Sequence, residues 1–235
     1  MANNAWQSVY RQIGSTSDLY ADNQRVVSLW PKGTRYSGLF LITDGGDNGR
    51  PSIWSFGGND TGQNATGRSN TDNTNTSSLG NFGLYECRVA RPSNFHENTT
   101  SELDYSSDAL RNIIDVGNPV AVFSNGYLGH TACTCILITD NGTVLWCGDH
   151  DSTYLTSNQG PSFEYHQMPN NQDFARAWQV VRHLPKCKEA MFSFYGDGGA
   201  NGFAFLSNNG DVYIHGGHSR GASGTQFGPT SITLN

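Results

Sequence analysis

The chain has 235 residues, 14% of them charged, with a formal net charge of −6 at pH 7. That length allows one all-β domain or two small ones with a substantial buried core. The charge balance lacks the basic stripe that phosphate neutralisation requires, and no apolar run reaches the ~20 residues of a membrane helix, so neither nucleic-acid binding nor membrane insertion is expected.

The N-terminal Met1-Ala-Asn-Asn-Ala-Trp6 has no basic segment followed by an apolar one, so no signal peptide is expected. This suits a protein made in the cytoplasm and released without a secretion signal, for instance by assembly into a particle. Trp6-Gln-Ser-Val-Tyr-Arg11 echoes Trp178-Gln-Val-Val-Arg182, and residues 5–13 are expected to form an outer strand. A strand follows at 26–30. Leu39-Phe-Leu-Ile-Thr43 and Ile53-Trp-Ser-Phe-Gly57 then read as a hairpin across a long turn at 44–51. The polar tract 57–83 cannot bury apolar area and is expected as an exposed loop. A strand at 84–89 precedes an insert at 91–118, in which residues 107–114 suggest a short helix.

The second half is clearer. After a strand at 120–123 comes Cys135-Ile-Leu-Ile-Thr-Asp-Asn-Gly-Thr-Val-Leu-Trp-Cys-Gly148, two apolar runs split by an Asx-Gly turn. Such a split is the strongest short-range hairpin signal, because Asn and Gly accept the positive φ of a tight turn. An insert at 149–177, a strand at 178–182 and another at 190–194 follow. Phe203-Ala-Phe-Leu-Ser-Asn-Asn-Gly-Asp-Val-Tyr-Ile-His-Gly216 repeats the hairpin in the same register, and a last strand is expected at 231–234.

Three hairpins, each with a strand upstream at nearly constant distance and one downstream, make a repeat of four short strands, the content of one propeller blade. The glycines ending the hairpins, Gly57, Gly148 and Gly216, are 91 and 68 residues apart. Those spacings exceed the ~40–50 residues of common blades, so long inserts must sit between strands. The expected fold is all-β: one domain, 1–235, forming a β-propeller-like array with blade cores at about 25–90, 119–182 and 189–235. A degenerate fourth blade could be concealed in the inserts at 91–118 or 149–177.

The apolar strand, the Thr/Ser-Asp/Asn-x-Gly turn, the Val-x-x-x-Gly strand and the trailing Gly-rich segment resemble regulator-of-chromosome-condensation repeats. The copy at 120–149, with Gly129-His130 before its central strand, matches best. Gly62-Gln63 and Leu184-Pro185 also fit. The resemblance implies a propeller. The family forms seven blades, so three recognisable ones depart from it, and the guanine-exchange and chromatin roles of its best-known member do not carry over.

Residues that could carry chemistry are scattered. Cys87, Cys133, Cys135, Cys147 and Cys187 lie mostly in expected strands and read as small buried hydrophobes rather than disulfides or a zinc site. Asp44-Gly-Gly-Asp-Asn-Gly-Arg50 has the oxygen-rich look of a calcium loop but reads more simply as a turn. No nucleophile or phosphate-loop motif is present, and no metal or cofactor is expected. A ligand site is expected on rim and insert loops, with Trp146, His150, Tyr154, Tyr165, His215 and His218 as candidates, since sugars stack on aromatic faces and hydrogen-bond to polar side chains.

These features, with low charge, abundant Asn, Gly, Ser and Thr, and the occurrence of such repeats in phage fibres, favour a non-enzymatic binding module. The expected setting is a phage tail fibre or similar virion appendage, binding a host cell-surface glycan or a neighbouring virion protein. The alternatives are a surface-polysaccharide depolymerase using Asp149, Asp151 or Glu164, and an intracellular propeller adaptor for protein–protein interaction. Three blades cannot close a ring, so a homo-oligomer is expected, with a trimer the first guess.

Overall fold

The computed structural model describes residues 23–32, 38–57, 64–66, 85–90, 107–126, 133–149, 174–181, 184–193, 202–216 and 230–232. These build three sheets. The first has β1 (Val26–Lys32), β2 (Gly38–Thr43), β3 (Ser52–Gly57) and β4 (Tyr85–Glu86), paired in chain order. A hairpin of β5 (Arg88–Ala90) and β6 (Ser107–Ala109) comes next. The second sheet has β7 (Pro119–Gly126), β8 (Cys133–Thr139), β9 (Val144–Asp149) and β10 (Phe174–Val180). The third has β11 (Cys187–Ser193), β12 (Gly202–Ser207), β13 (Val212–Gly216) and β14 (Thr230–Ile232). Each is an antiparallel meander of four strands, the expected repeat.

Three local expectations need correction. Residues 107–114 do not form one helix. They make β6 and then enter two 3-10 turns, Leu110–Asn112 and Ile114–Val116, separated by an extended Ile113. Burial of both Leu110 and Val116 beneath the first two sheets requires that break. The strand expected at 84–89 is divided at Cys87, whose backbone N–H donates to the Ile53 carbonyl while β5 leaves to pair with β6. Finally, β10 begins at Phe174, inside the segment read as a loop. The β5–β6 hairpin joins the outer edge of the second sheet through one parallel pair, Val89 beside Trp178. Among the described residues that insert therefore extends an existing sheet and is not a fourth one. The strand expected at 5–13 and most of the polar tract 57–83 lie outside the described residues.

The sheets stack face to face, and strand alternation decides which side chain goes where. In the second sheet Cys135, Leu137, Leu145 and Cys147 face the first sheet, where they meet Phe40 and Ile53. Their neighbours Ile136, Ile138, Val144 and Trp146 face the third and meet Phe203 and Phe205. With both faces buried, a strand has no position left for polar residues, which is why 135–138 and 144–147 read as unbroken apolar runs. The order is directional. Thr43, Thr139 and Ser207 end equivalent strands, so Phe40, Ile136 and Ala204 are equivalent, and in the first two copies this face looks toward the following sheet.

The turns repeat in their hydrogen bonds as well as in sequence. Thr139 N–H donates to Thr143 O at 3.1 Å and Gly142 N–H to Thr139 O at 2.8 Å. Ser207 N–H donates to Asp211 O at 2.8 Å and Gly210 N–H to Ser207 O at 3.1 Å. A second tie joins each turn to the residue before the first strand of its own sheet. The N–H of Asp44, Asp140 and Asn208 donates to the carbonyl of Arg25, Asn118 and Lys186 at 2.9, 2.8 and 2.8 Å. In two copies the carboxylate completes the clasp, since Asp44 Oδ1 accepts from Arg25 N–H and Asp140 Oδ1 from Asn118 N–H, each at 2.9 Å.

Candidate interaction surface

The first strand of each sheet, β1, β7 or β11, is an edge strand bonded on one side only. Proline marks two of these edges, Pro31 within β1 and Pro119 opening β7, where a missing N–H costs no ladder bond. The three edges lie side by side in the order of the sheets. Trp30 of β1 packs on Phe123 of β7 with ring centroids 5.7 Å apart, and Ser124 Oγ donates to the Pro31 carbonyl at 3.0 Å.

These converging edges carry most of the exposed large apolar side chains among the described residues. Val27 and Leu29 on β1 are 63% and 61% exposed, Val120 on β7 is 51% exposed, and Met191 on β11 is 65% exposed. Val27 and Val120 fall where the register slips in the pairing with β2 and β8. A bulge turns a side chain out of the regular alternation, which accounts for apolar residues pointing away from the cores. Exposed charge flanks them, with Arg25 before β1 and Lys188 and Glu189 on β11.

Among the described residues, several groups able to do covalent or acid–base chemistry are committed to holding the fold. Cys87, Cys135, Cys147 and Cys187 form no disulfide and are buried. Burial pushes the Cys87 thiol up to about 12 and that of Cys187 to about 11, away from the reactive thiolate. The oxygen-rich loop at 44–50 folds as a turn around Asp44. Its carboxylate accepts from the N–H groups of Arg25 and Gly46, which hold it below the usual carboxylate range, and Arg25 Nε adds an ion pair at 3.1 Å. Asp140 is lowered in the same way, chiefly by the Asn118 N–H. Glu86 binds Arg111 at 2.9 Å and accepts from Ser52 Oγ, pinning the 3-10 turn to the first sheet. Lys32 is buried beside the Phe40 ring and donates to the side chain of Asn64.

Of the ligand candidates read from the sequence, Trp146 is 2% exposed and lies in the core between the second and third sheets. His215 stands in β13 opposite Phe203. His150, Tyr154, Tyr165 and His218 lie outside the described residues, as do Asp151 and Glu164. The apolar edge was not anticipated. Its one trace in the sequence is the proline in each of two first strands.

Stacked four-stranded meanders whose first strands converge are the architecture of a β-propeller. No family model matches the sequence, and no curated protein matches it. Solved structures do match in fold. Prp20p from Saccharomyces cerevisiae, the yeast RCC1, aligns with a TM-score of 0.51 at 13% identity over 89% of this chain and 38% of its own. Human WBSCR16 aligns with a TM-score of 0.50 at 15% identity over 90% of this chain and 38% of its own. The chain thus has the RCC1-type propeller fold that its repeats suggested, and it spans less than two fifths of the length of the propeller proteins it matches.

Proposed function

We propose that this chain is a non-enzymatic protein-interaction module in which the stacked sheets form a rigid base and a protein partner seats on the converging edges of β1, β7 and β11. The observation that carries this reading is the set of apolar side chains exposed there, Val27, Leu29, Val120 and Met191. Large apolar side chains left exposed on neighbouring edge strands point to a protein contact more than to a hydrophilic ligand. Unpaired strand edges add backbone donors and acceptors that an extended segment of the partner can use.

The fold supports the same choice. Prp20p is described by its binding to Gsp1p and to histones, so a propeller of this type can serve as a docking body for proteins. This favours a protein–protein adaptor over the glycan-binding tail fibre that composition suggested. The test is affinity capture with the purified chain, alongside the double variant Leu29→Asp, Val120→Asp. Proteins retained by the parent and lost by the variant are the expected result. Equal retention would overturn the assignment of the surface. Binding to a host-surface glycan without protein capture would restore the tail-fibre reading. Release of reducing ends from surface polysaccharide would make the chain a hydrolase.

A further inference from the structure

We propose that Asn209 is a site of spontaneous deamidation in the folded chain, and that its repeat equivalent Asn141 is shielded from the same reaction. Each precedes a glycine in equivalent turns, 139–142 and 207–210, and both asparagines are exposed. A glycine in that place lacks the side chain that would screen its backbone nitrogen. The Gly210 nitrogen attacks Cγ of Asn209, a carbon–nitrogen bond forms, and the side-chain amide leaves as ammonia, carrying the Gly210 amide proton. Water opens the resulting cyclic imide. Attack at its side-chain carbonyl gives aspartate, and attack at its main-chain carbonyl gives isoaspartate, with the chain then running through the side-chain carbon. No electrons are exchanged, and water is the only co-reactant.

Ring closure requires the asparagine side chain to rotate onto the next nitrogen, and at Asn141 both partners are fastened. Asn141 Oδ1 accepts from Thr143 N–H at 3.0 Å and from Thr143 Oγ1 at 2.7 Å, and Lys186 Nζ stands 3.4 Å away. Its Nδ2 donates to the Asp115 carbonyl at 3.1 Å. Gly142 is buried, its N–H donates to Thr139 O at 2.8 Å and its carbonyl accepts from Cys187 N–H at 2.9 Å. Lys186 Cβ, Asn208 Nδ2 and the Cys187 nitrogen crowd it besides. Attack here would break bonds to three segments of the chain at once.

Asn209 has none of these restraints. Among the described residues its side chain makes no hydrogen bond. Gly210 is exposed, with nothing within 4 Å of its missing Cβ, and its N–H is held by one bond of 3.1 Å to Ser207 O. Release of that single bond frees the nucleophile, so a local fluctuation of the turn suffices where Asn141 needs a wider opening. The product adds a negative charge two residues from Asp211. In the isoaspartyl form it also lengthens the main chain beside Asn208, whose N–H ties the turn to Lys186 O at 2.8 Å.

The full-length chain, kept at mildly alkaline pH and body temperature in heavy-oxygen water, tests this. Proteolysis and fragment-ion mass spectrometry place each converted asparagine. Conversion at Asn209 is expected to run at least about tenfold faster than at Asn141, since opening the latter breaks several hydrogen bonds and each is worth a sizeable part of that factor. In urea that unfolds the chain the two rates should converge, because only the shared Asn-Gly pair remains. Thr143→Val keeps the shape of the shielded turn but removes one bond to Asn141. It should raise the native rate at Asn141 and leave Asn209 unchanged. Equal native rates, an intact Asn209 in the folded chain, conversion at Asn208 in its place, or a difference that persists in urea would each overturn the proposal. A Thr143→Val chain with Asn141 still converting at the parent's rate would overturn the shielding.

Discussion

Gly142 allows the link between the second and third sheets to be measured. Its φ is +82°, and a Cβ added there would lie 2.9 Å from Lys186 Cβ, 3.1 Å from Asn208 Nδ2 and 3.2 Å from the Cys187 nitrogen. Its carbonyl also accepts the Cys187 N–H at 2.9 Å, so the turn of one sheet is bonded to the first strand of the next. Gly210 occupies the equivalent turn with φ +97° and nothing within 4 Å of its missing Cβ. Alanine at either site bears the left-handed backbone cost of about 1–2 kcal/mol. Only at Gly142 must it also push on Lys186 Cβ and a backbone nitrogen, neither of which is the free end of a side chain. Weakening the intersheet bond costs about 1 kcal/mol more, and overpacking of this kind about 1–3 kcal/mol. Gly142→Ala should therefore destabilise by about 3–6 kcal/mol and Gly210→Ala by about 1–2 kcal/mol, read from urea midpoints at unchanged slope. Equal losses would refute the docking of the turn on β11.

Two further outcomes follow from the clasps and the thiols. The folded-state pKa of Asp140 is lowered by the Asn118 N–H, so its contribution to stability is present above the unfolded carboxylate value and lost as pH falls through the folded one. Asp140→Asn should flatten the fall of the melting temperature below about pH 4, and an unchanged acid slope would discount the clasp. Cys87, Cys135, Cys147 and Cys187 are buried, so a thiol reagent at pH 8 should modify no more than Cys133 until the chain unfolds. Native reaction of two or more thiols would contradict that burial.

The sequence determined what depends on local chemistry and on period. The turns at 140–142 and 208–210 were legible because Gly142 and Gly210 take the left-handed backbone that glycine accepts, while Asn141 closes its turn by accepting the Thr143 N–H. Strands whose two faces are both buried were legible because burial on both sides removes every polar position. From these came the repeat, and from the repeat the propeller. The tertiary structure decided what depends on distant partners. The break at Cys87 arises because that residue bonds the Ile53 carbonyl while its successors pair with β6, 107–109, which is nothing the tripeptide itself encodes. Trp146 looked like a surface aromatic suited to a sugar, but an aromatic has the same appearance in sequence whether its neighbouring face is open or covered. Here the third sheet covers it. The same limit applied to Val27, Leu29, Val120 and Met191, which resemble core residues in any strand. They are exposed because their strands are edges and two of them sit at register slips, and pairing across the chain alone fixes which strand is an edge.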